Sequence, residues 1–226
     1  VKGGYLSKPR WATSKRKNRQ IELDYRIAIR KEDIQKMSLE EINDIITREL
    51  NHNDYIYQKE KMIPHPGRKL AEGIENVVYV CPHCQAINTL KSEGNQIRCD
   101  ACKRKGYLDR YGFIHDFVFD NLVAWDTYQR NFTKQLKETT IRTQGFLSFL
   151  NVEDESHEEK GKIELIYENH RFHLTGAYEE IIEVDAIENP TITLRRSFGF
   201  FYQNRHYLID LEQYGASLLR IAQNKY

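Results

Sequence analysis

All four cysteines of the chain, Cys81, Cys84, Cys99 and Cys102, fall in one short window that reads Cys-Pro-His-Cys, fourteen residues, Cys-Asp-Ala-Cys. Each CxxC lets two thiolates converge from one tight turn, and the intervening residues suffice for an out-and-back hairpin that brings the second turn up to the first. Four sulfurs then close a tetrahedron around a zinc ion. No position is left open for water or substrate, so the zinc is expected to be structural rather than catalytic. Two other readings of the same cysteines are weighed against it. A pair of disulfides needs an oxidising compartment, and no secretory signal segment is visible. A thioredoxin-like redox pair needs one CxxC opening a helix, whereas here the first follows the strand-like run Val77-Val78-Tyr79-Val80 and the motif occurs twice. His83, inside the first turn, is expected to be exposed rather than a ligand.

Other residues of reactive type are read as structural. His52, Asp54 and His65 are separated by a predicted helix end and by Pro64, and are expected to be polar loop residues. His115 and Asp120 spell His-x-x-x-x-Asp, but no phosphate-gripping segment follows them. A general base works only within hydrogen-bond reach of a held substrate, so the pair is not assigned to catalysis. No catalytic and no cofactor-binding residue is assigned in this chain beyond the four metal ligands.

The elements that must position the cysteines follow from periodicity. Ile21, Leu23, Tyr25, Ile27 and Ile29 alternate with Glu22, Asp24, Arg26 and Ala28, which predicts a half-buried strand. Ser38 followed by Glu41 forms a capping box, and Leu39, Ile42, Ile45, Ile46 and Leu50 recur at helical spacing, predicting a helix that ends near Asn51. Residues 53–63 suggest a second, short helix stopped by Pro64 and Pro66. Past the cysteines, Asp120 or Asn121 can cap a helix carrying Leu122, Trp125, Tyr128, Phe132 and Leu136 along one side. From Thr139 the texture becomes short strand-like runs at 145–152, 162–167, 171–174, 181–184, 191–195 and 206–211, with an acidic loop at 153–160. An amphipathic helix with Tyr214, Leu218, Ile221 and Ala222 closes the chain.

These elements define an α+β fold. A helical and strand segment at 1–75 leads into a zinc ribbon at 76–112, a linking helix at 113–138, and an antiparallel β domain with a C-terminal helix at 139–226. The order of that last domain is that of a pleckstrin-homology-like barrel, with a small β-sandwich as the other reading.

Composition narrows the partners. With 34 Lys and Arg against 33 Asp and Glu, the chain has no bulk positive field to drive non-specific nucleic-acid binding. Residues 1–20 nevertheless gather Lys8, Arg10, Lys15, Arg16, Lys17 and Arg19, read either as a solvated loop or as a contact with an anionic membrane surface. Gly3-Gly4 predicts a backbone turn that a side chain would block, and Trp11 an anchor. No apolar run approaches the roughly 20 residues needed to cross a bilayer.

Taken in order, Gly3-Gly4-Tyr5-Leu6, Lys8-Pro9-Arg10-Trp11, Lys36-Met37-Ser38 with Glu40-Glu41-Ile42, Asn53-Asp54-Tyr55, Gln58, Ala71-Glu72-Gly73 and the four cysteines resemble a bacterial family of lysophosphatidate (1-acyl-sn-glycerol-3-phosphate) acyltransferases with a zinc-ribbon extension. The resemblance covers about residues 1–115. It implies transfer of an acyl group from a thioester to the free hydroxyl of a lysophosphatidate, by a His-x-x-x-x-Asp pair and a Glu-Gly-Thr-Arg type motif. In the family those lie upstream of the Gly-Gly-Tyr segment. It therefore implies an accessory C-terminal region whose partners are a catalytic domain upstream and an anionic membrane surface, at the cytoplasmic, inner face of the plasma membrane. The opening residue Val1, rather than Met, is read as either a processed end or the tail of a longer polypeptide. The rival reading is a non-enzymatic zinc-ribbon adaptor for nucleic acid or protein, kept open by Lys91, Arg98, Lys103, Arg104 and Lys105.

Overall fold

The computed structural model describes residues 1–14, 16, 17, 20–193 and 197–224. Lys15, Arg19, Leu194 and Arg195, which belong to the predicted basic stretch and to one predicted strand, lie outside the described residues. The chain forms two compact units, one from 1–9, 15–67 and 110–112, the other from 10–14, 68–109 and 113–226.

The first unit carries helices α1 (Gly4–Ser7), α2 (Lys31–Ile34), α3 (Leu39–Leu50) and α4 (Asp54–Lys61). The capping box forms as expected: the Glu41 amide donates to Ser38 Oγ, and the Ser38 amide donates to the Glu41 carboxylate at 2.8 Å. Asn53 caps α4 through the Tyr55 amide. Asp54 is no solvated loop residue. It is 6% exposed, and its carboxylate takes the Gly3 amide at 2.9 Å, the Tyr5 amide at 2.6 Å and His52 Nε2 at 2.6 Å. Gly3 adopts φ 78°, the turn that excludes other residues, and presents its amide to that carboxylate. His65 lies in a loop, as expected, and is buried there. Arg16 is buried too, and desolvation lowers its pKa to about 10, so this member of the basic stretch is not a solvated side chain.

The predicted strand at 21–29 does not form. The segment is exposed over most of its length and bends at Ala28 and Ile29, and its one bridge joins Glu22 to Lys2. Alternation makes a strand only when a neighbouring strand accepts it, and none of the described residues does so.

The second unit holds two antiparallel sheets. The smaller is β1 (Leu90–Glu93), β2 (Gln96–Cys99), β3 (Lys105–Leu108) and β4 (Ile114–His115), paired in that order. Helix α5 (Leu122–Gln129), capped by Asn121, and α6 (Thr133–Lys137) follow, so the single helix expected there is broken by a 3-10 turn at Arg130–Phe132. The larger sheet comprises β5 (Ile141–Leu150), β6 (His157–Glu168), β7 (Arg171–Gly176), β8 (Glu180–Glu183), β9 (Glu188–Thr193), β10 (Ser197–Tyr202) and β11 (Arg205–Leu211), in the order β8-β7-β6-β5-β11-β10-β9. Helix α7 (Gly215–Gln223) lies against β9 and β10 and buries Leu218, Ile221 and Ala222.

That larger sheet is curled. Phe172 on β7 and Phe198 on β10 are four strand spacings apart, roughly 19 Å in a flat sheet, yet their rings stand 5.9 Å apart. The Tyr207 hydroxyl on β11 likewise reaches the Glu180 carboxylate on β8. One reading is corrected: the acidic stretch 153–160 is a loop only to Ser156, because His157–Lys160 continues β6 against β5. The run Ser197–Tyr202, assigned to no element from sequence, is a strand that buries Phe198, Gly199 and Phe200.

Candidate metal centre

Two short loops build the cysteine cluster, and they are near copies. In the first, the Gln85 amide donates to the Cys81 carbonyl at 2.8 Å and the Cys81 amide to Ala86 at 3.0 Å. In the second, the Lys103 amide donates to the Cys99 carbonyl at 2.9 Å and the Cys99 amide to Arg104 at 2.9 Å. Gln85 and Lys103, each four residues after the first cysteine of its loop, both take φ 62°, in the left-handed region. Neither Gln nor Lys is a residue type that marks such a position, so this pair is not legible from residue types. The β1–β2 hairpin, turning at Gly94, then brings one loop to the other.

The four sulfurs lie within 4.8 Å of one another, with Cys81 to Cys102 at 3.8 Å and Cys84 to Cys99 at 3.7 Å. These are not disulfide distances. Sulfurs placed tetrahedrally at about 2.3 Å from an ion are separated by about 3.8 Å, close to these two distances, so the cluster could hold a metal ion. Cys81 and Cys99 are buried, Cys84 and Cys102 exposed. Burial pushes the Cys81 thiol up to about 12, against the amides of Cys84 and His83. Burial also acts to raise Cys99, but the Thr89 hydroxyl, 3.3 Å away, and the amides of Cys102 and Ala101 outweigh it and bring that thiol down to about 6. Amides aimed at sulfur occur in both loops, and they suit thiolates held together by a cation. His83 is exposed and leans toward Phe117, with ring centres 5.9 Å apart.

The run 77–80 that enters the first loop is not a strand, although it is buried. Side chains of α5 take three of its backbone groups, and backbone groups of Ile74, Ile87 and Asn88 take others. The Tyr79 amide donates to Gln129 Oε1, Gln129 Nε2 donates to the Val77 carbonyl, and Trp125 Nε1 donates to the Val80 carbonyl at 2.8 Å. Tyr79 and Val80 belong to the hydrophobic core of the curled sheet. On the other side, Ser217 of α7 donates to Asn88, and Lys91 donates to Gln213 and stands over the Tyr214 ring. The segment that enters the first cysteine loop and the curled sheet therefore share one core.

His115 and Asp120 are not brought together. His115 Nε2 meets Asp109 at 2.8 Å and its ring stacks on Tyr107, while Asp120 accepts from Asn121. Glu72 bonds Thr13 and Lys69, and Gly73, at φ 93°, lies so close to the Trp11 carbonyl that an added Cβ would stand 2.5 Å from it. Trp11 is the expected anchor, 1% exposed with Nε1 donating to the Leu70 carbonyl. Of the basic ribbon residues, Arg98 pairs with Asp100 and Arg104 donates to the Asp116 carbonyl. A further cleft, unmarked in the sequence, lies beside Phe149, whose ring is covered by Lys160 and Arg205. Among the described residues, no helix is long and apolar enough to cross a membrane. No protein-family model matches the sequence, and no curated protein or solved structure matches the chain.

Proposed function

We propose that this chain is the accessory C-terminal region of a membrane-peripheral 1-acylglycerol-3-phosphate O-acyltransferase, working at the cytoplasmic face of the plasma membrane. It contributes a structural zinc and no catalytic group of its own. The observation that carries this reading is that several of the residues behind the family resemblance make close tertiary contacts. Asp54 grips Gly3 and Tyr5, Gly73 closes on Trp11, and the four cysteines converge. The ion is zinc because four thiolates in a closed tetrahedron suit it, and because a hairpin this small needs metal binding to supply folding free energy. The curled seven-stranded sheet with its terminal helix is a pleckstrin-homology-like domain. Its strand order, open between β8 and β9 and covered by α7, supports that reading.

The adaptor reading is disfavoured because Lys91, Arg98 and Arg104 are engaged by groups of the chain itself. The test has three parts. Metal analysis of the purified chain finds about one zinc per chain. The chain alone transfers no acyl group from an acyl thioester to lysophosphatidate. The coding sequence ahead of Val1 encodes His-x-x-x-x-Asp. Transfer by this chain alone, or a different domain upstream, overturns the reading.

A further inference from the structure

Each cysteine loop carries one buried and one exposed thiol: Cys81 and Cys99 are buried, Cys84 and Cys102 exposed. Two sulfur contacts lie in hydrogen-bonding geometry, and both cross from loop to loop, Cys84 to Cys99 at 3.7 Å and Cys81 to Cys102 at 3.8 Å. Twice over, then, an exposed thiol meets a buried one of the opposite loop. A sulfur at the surface is open to oxidants from solvent, whereas a buried one reacts with what stands next to it. To become a disulfide of about 2.05 Å, either contact closes by less than about 2 Å. The loops themselves are held. The Asp100 amide donates to the Thr89 carbonyl at 2.8 Å, Leu90 stands opposite Cys99 in the hairpin, and Tyr79 and Val80 anchor the entry to the first loop in the core.

We propose that the cysteine cluster is an oxidation site, in which a hydroperoxide joins Cys84 to Cys99 and Cys81 to Cys102, so that the ribbon gives up its ion yet stays closed. This does not depend on the acyltransferase reading. The exposed sulfur attacks the peroxide, the O–O bond breaks, and the sulfur becomes a sulfenic acid as water or an alcohol leaves. The buried thiol of the other loop attacks that sulfur, the S–S bond forms, and hydroxide departs as water with the thiol proton. Each disulfide consumes two thiols and one hydrogen peroxide and yields two waters, so the full reaction takes about two peroxides per chain. No thiolate remains as a ligand. Each new bond nevertheless spans the hairpin, over 15 residues from Cys84 to Cys99 and 21 from Cys81 to Cys102. Bonds within a loop, Cys81 to Cys84 and Cys99 to Cys102, use the same thiols but leave the two loops free to part.

The test treats the zinc-loaded chain with hydrogen peroxide, follows zinc release with a chromogenic chelator and maps the disulfides without reduction. Trypsin, cutting after Lys69, Lys91, Arg98 and Lys103, puts Cys81 and Cys84 in one peptide, 70–91, and Cys99 and Cys102 in another, 99–103. The expected result is about one zinc released per two peroxides consumed, with the two peptides joined and fragmentation placing Cys84 on Cys99 and Cys81 on Cys102. Dithiothreitol parts the peptides and restores zinc uptake. The oxidised chain keeps the near-ultraviolet circular dichroism of the buried Trp125 and melts above the reduced chain stripped by a chelator. Separate peptides, each with its own internal disulfide, overturn the proposal. So do bonds from Cys81 to Cys99, disulfides between chains, oxidation that runs on to sulfinic or sulfonic acid, or zinc retained with all four thiols intact. An oxidised chain that melts no higher than the stripped one overturns the closure.

Discussion

At the scale of single residues, the cysteine loops place the same demand on two unlike side chains. Gln85 and Lys103 occupy left-handed backbone without being Gly or Asn, at a cost of about 1 kcal/mol each. Lys103→Gly is expected to leave stability level or raise it by up to about 1 kcal/mol. Lys103→Val, whose branched Cβ fits that region worst, lowers it by about 2 kcal/mol. Urea midpoints of the metal-loaded protein distinguish the two. His206 gives a residue-level pH dependence. Burial, aided by His157, lowers its pKa below the usual value near 6.5, and Nδ1 has no hydrogen-bond partner. Below about pH 6.5 the unfolded chain takes up a proton that the folded chain refuses, so stability falls as pH drops through that value toward the folded pKa. His206→Phe, which keeps the stack on Phe201, is expected to flatten the decline between pH 7.5 and 5.5 in denaturation midpoints.

At the scale of elements, the informative case is the run 77–80. Val-Val-Tyr-Val has the composition of a strand, but its backbone is claimed by Gln129 and Trp125, two side chains about fifty residues away. Gln129→Leu leaves the buried Tyr79 amide without an acceptor and is expected to cost about 2–3 kcal/mol. Gln129→Glu keeps that acceptor but sets a buried carboxylate oxygen against the Val77 carbonyl and the Asp126 carboxylate, so it is expected to cost at least as much, and urea midpoints of the two variants check this. The segment 21–29 shows the opposite. There the alternation is clean and the helix cap beside it forms as read, but among the described residues no strand is on hand to complete the ladder. Periodicity reports which face a segment wants to bury, and it carries no information about who covers it.

At the scale of the whole molecule, the metal site and the curled sheet cannot be treated separately, because Tyr79 and Val80 join the core that Phe172, Phe198 and Tyr207 form. Removing the metal with a chelator, or replacing Cys99 with Ser, is expected to lower the thermal midpoint of the sheet as well as of the ribbon. Near-ultraviolet circular dichroism would register the loss of packing around the buried Trp125. A sheet that melts at an unchanged temperature after metal removal would show the shared core to be energetically idle.

The sequence by itself determined what depends on neighbours along the chain. The cysteine spacing, the Ser38–Glu41 box, a cap at Asp120 or Asn121 and the apolar face of α7 depend on residue type and interval along the chain, and these were enough. Tertiary structure alone decided what depends on closure in space. It joined Asp54 to Gly3 and Tyr5, paired His115 with Asp109 in place of Asp120, and ran β6 into an acidic stretch. It also curled a sheet until strands four places apart touched. Such contacts are chosen by competition among distant partners for the same buried groups, and no local interval encodes the winner.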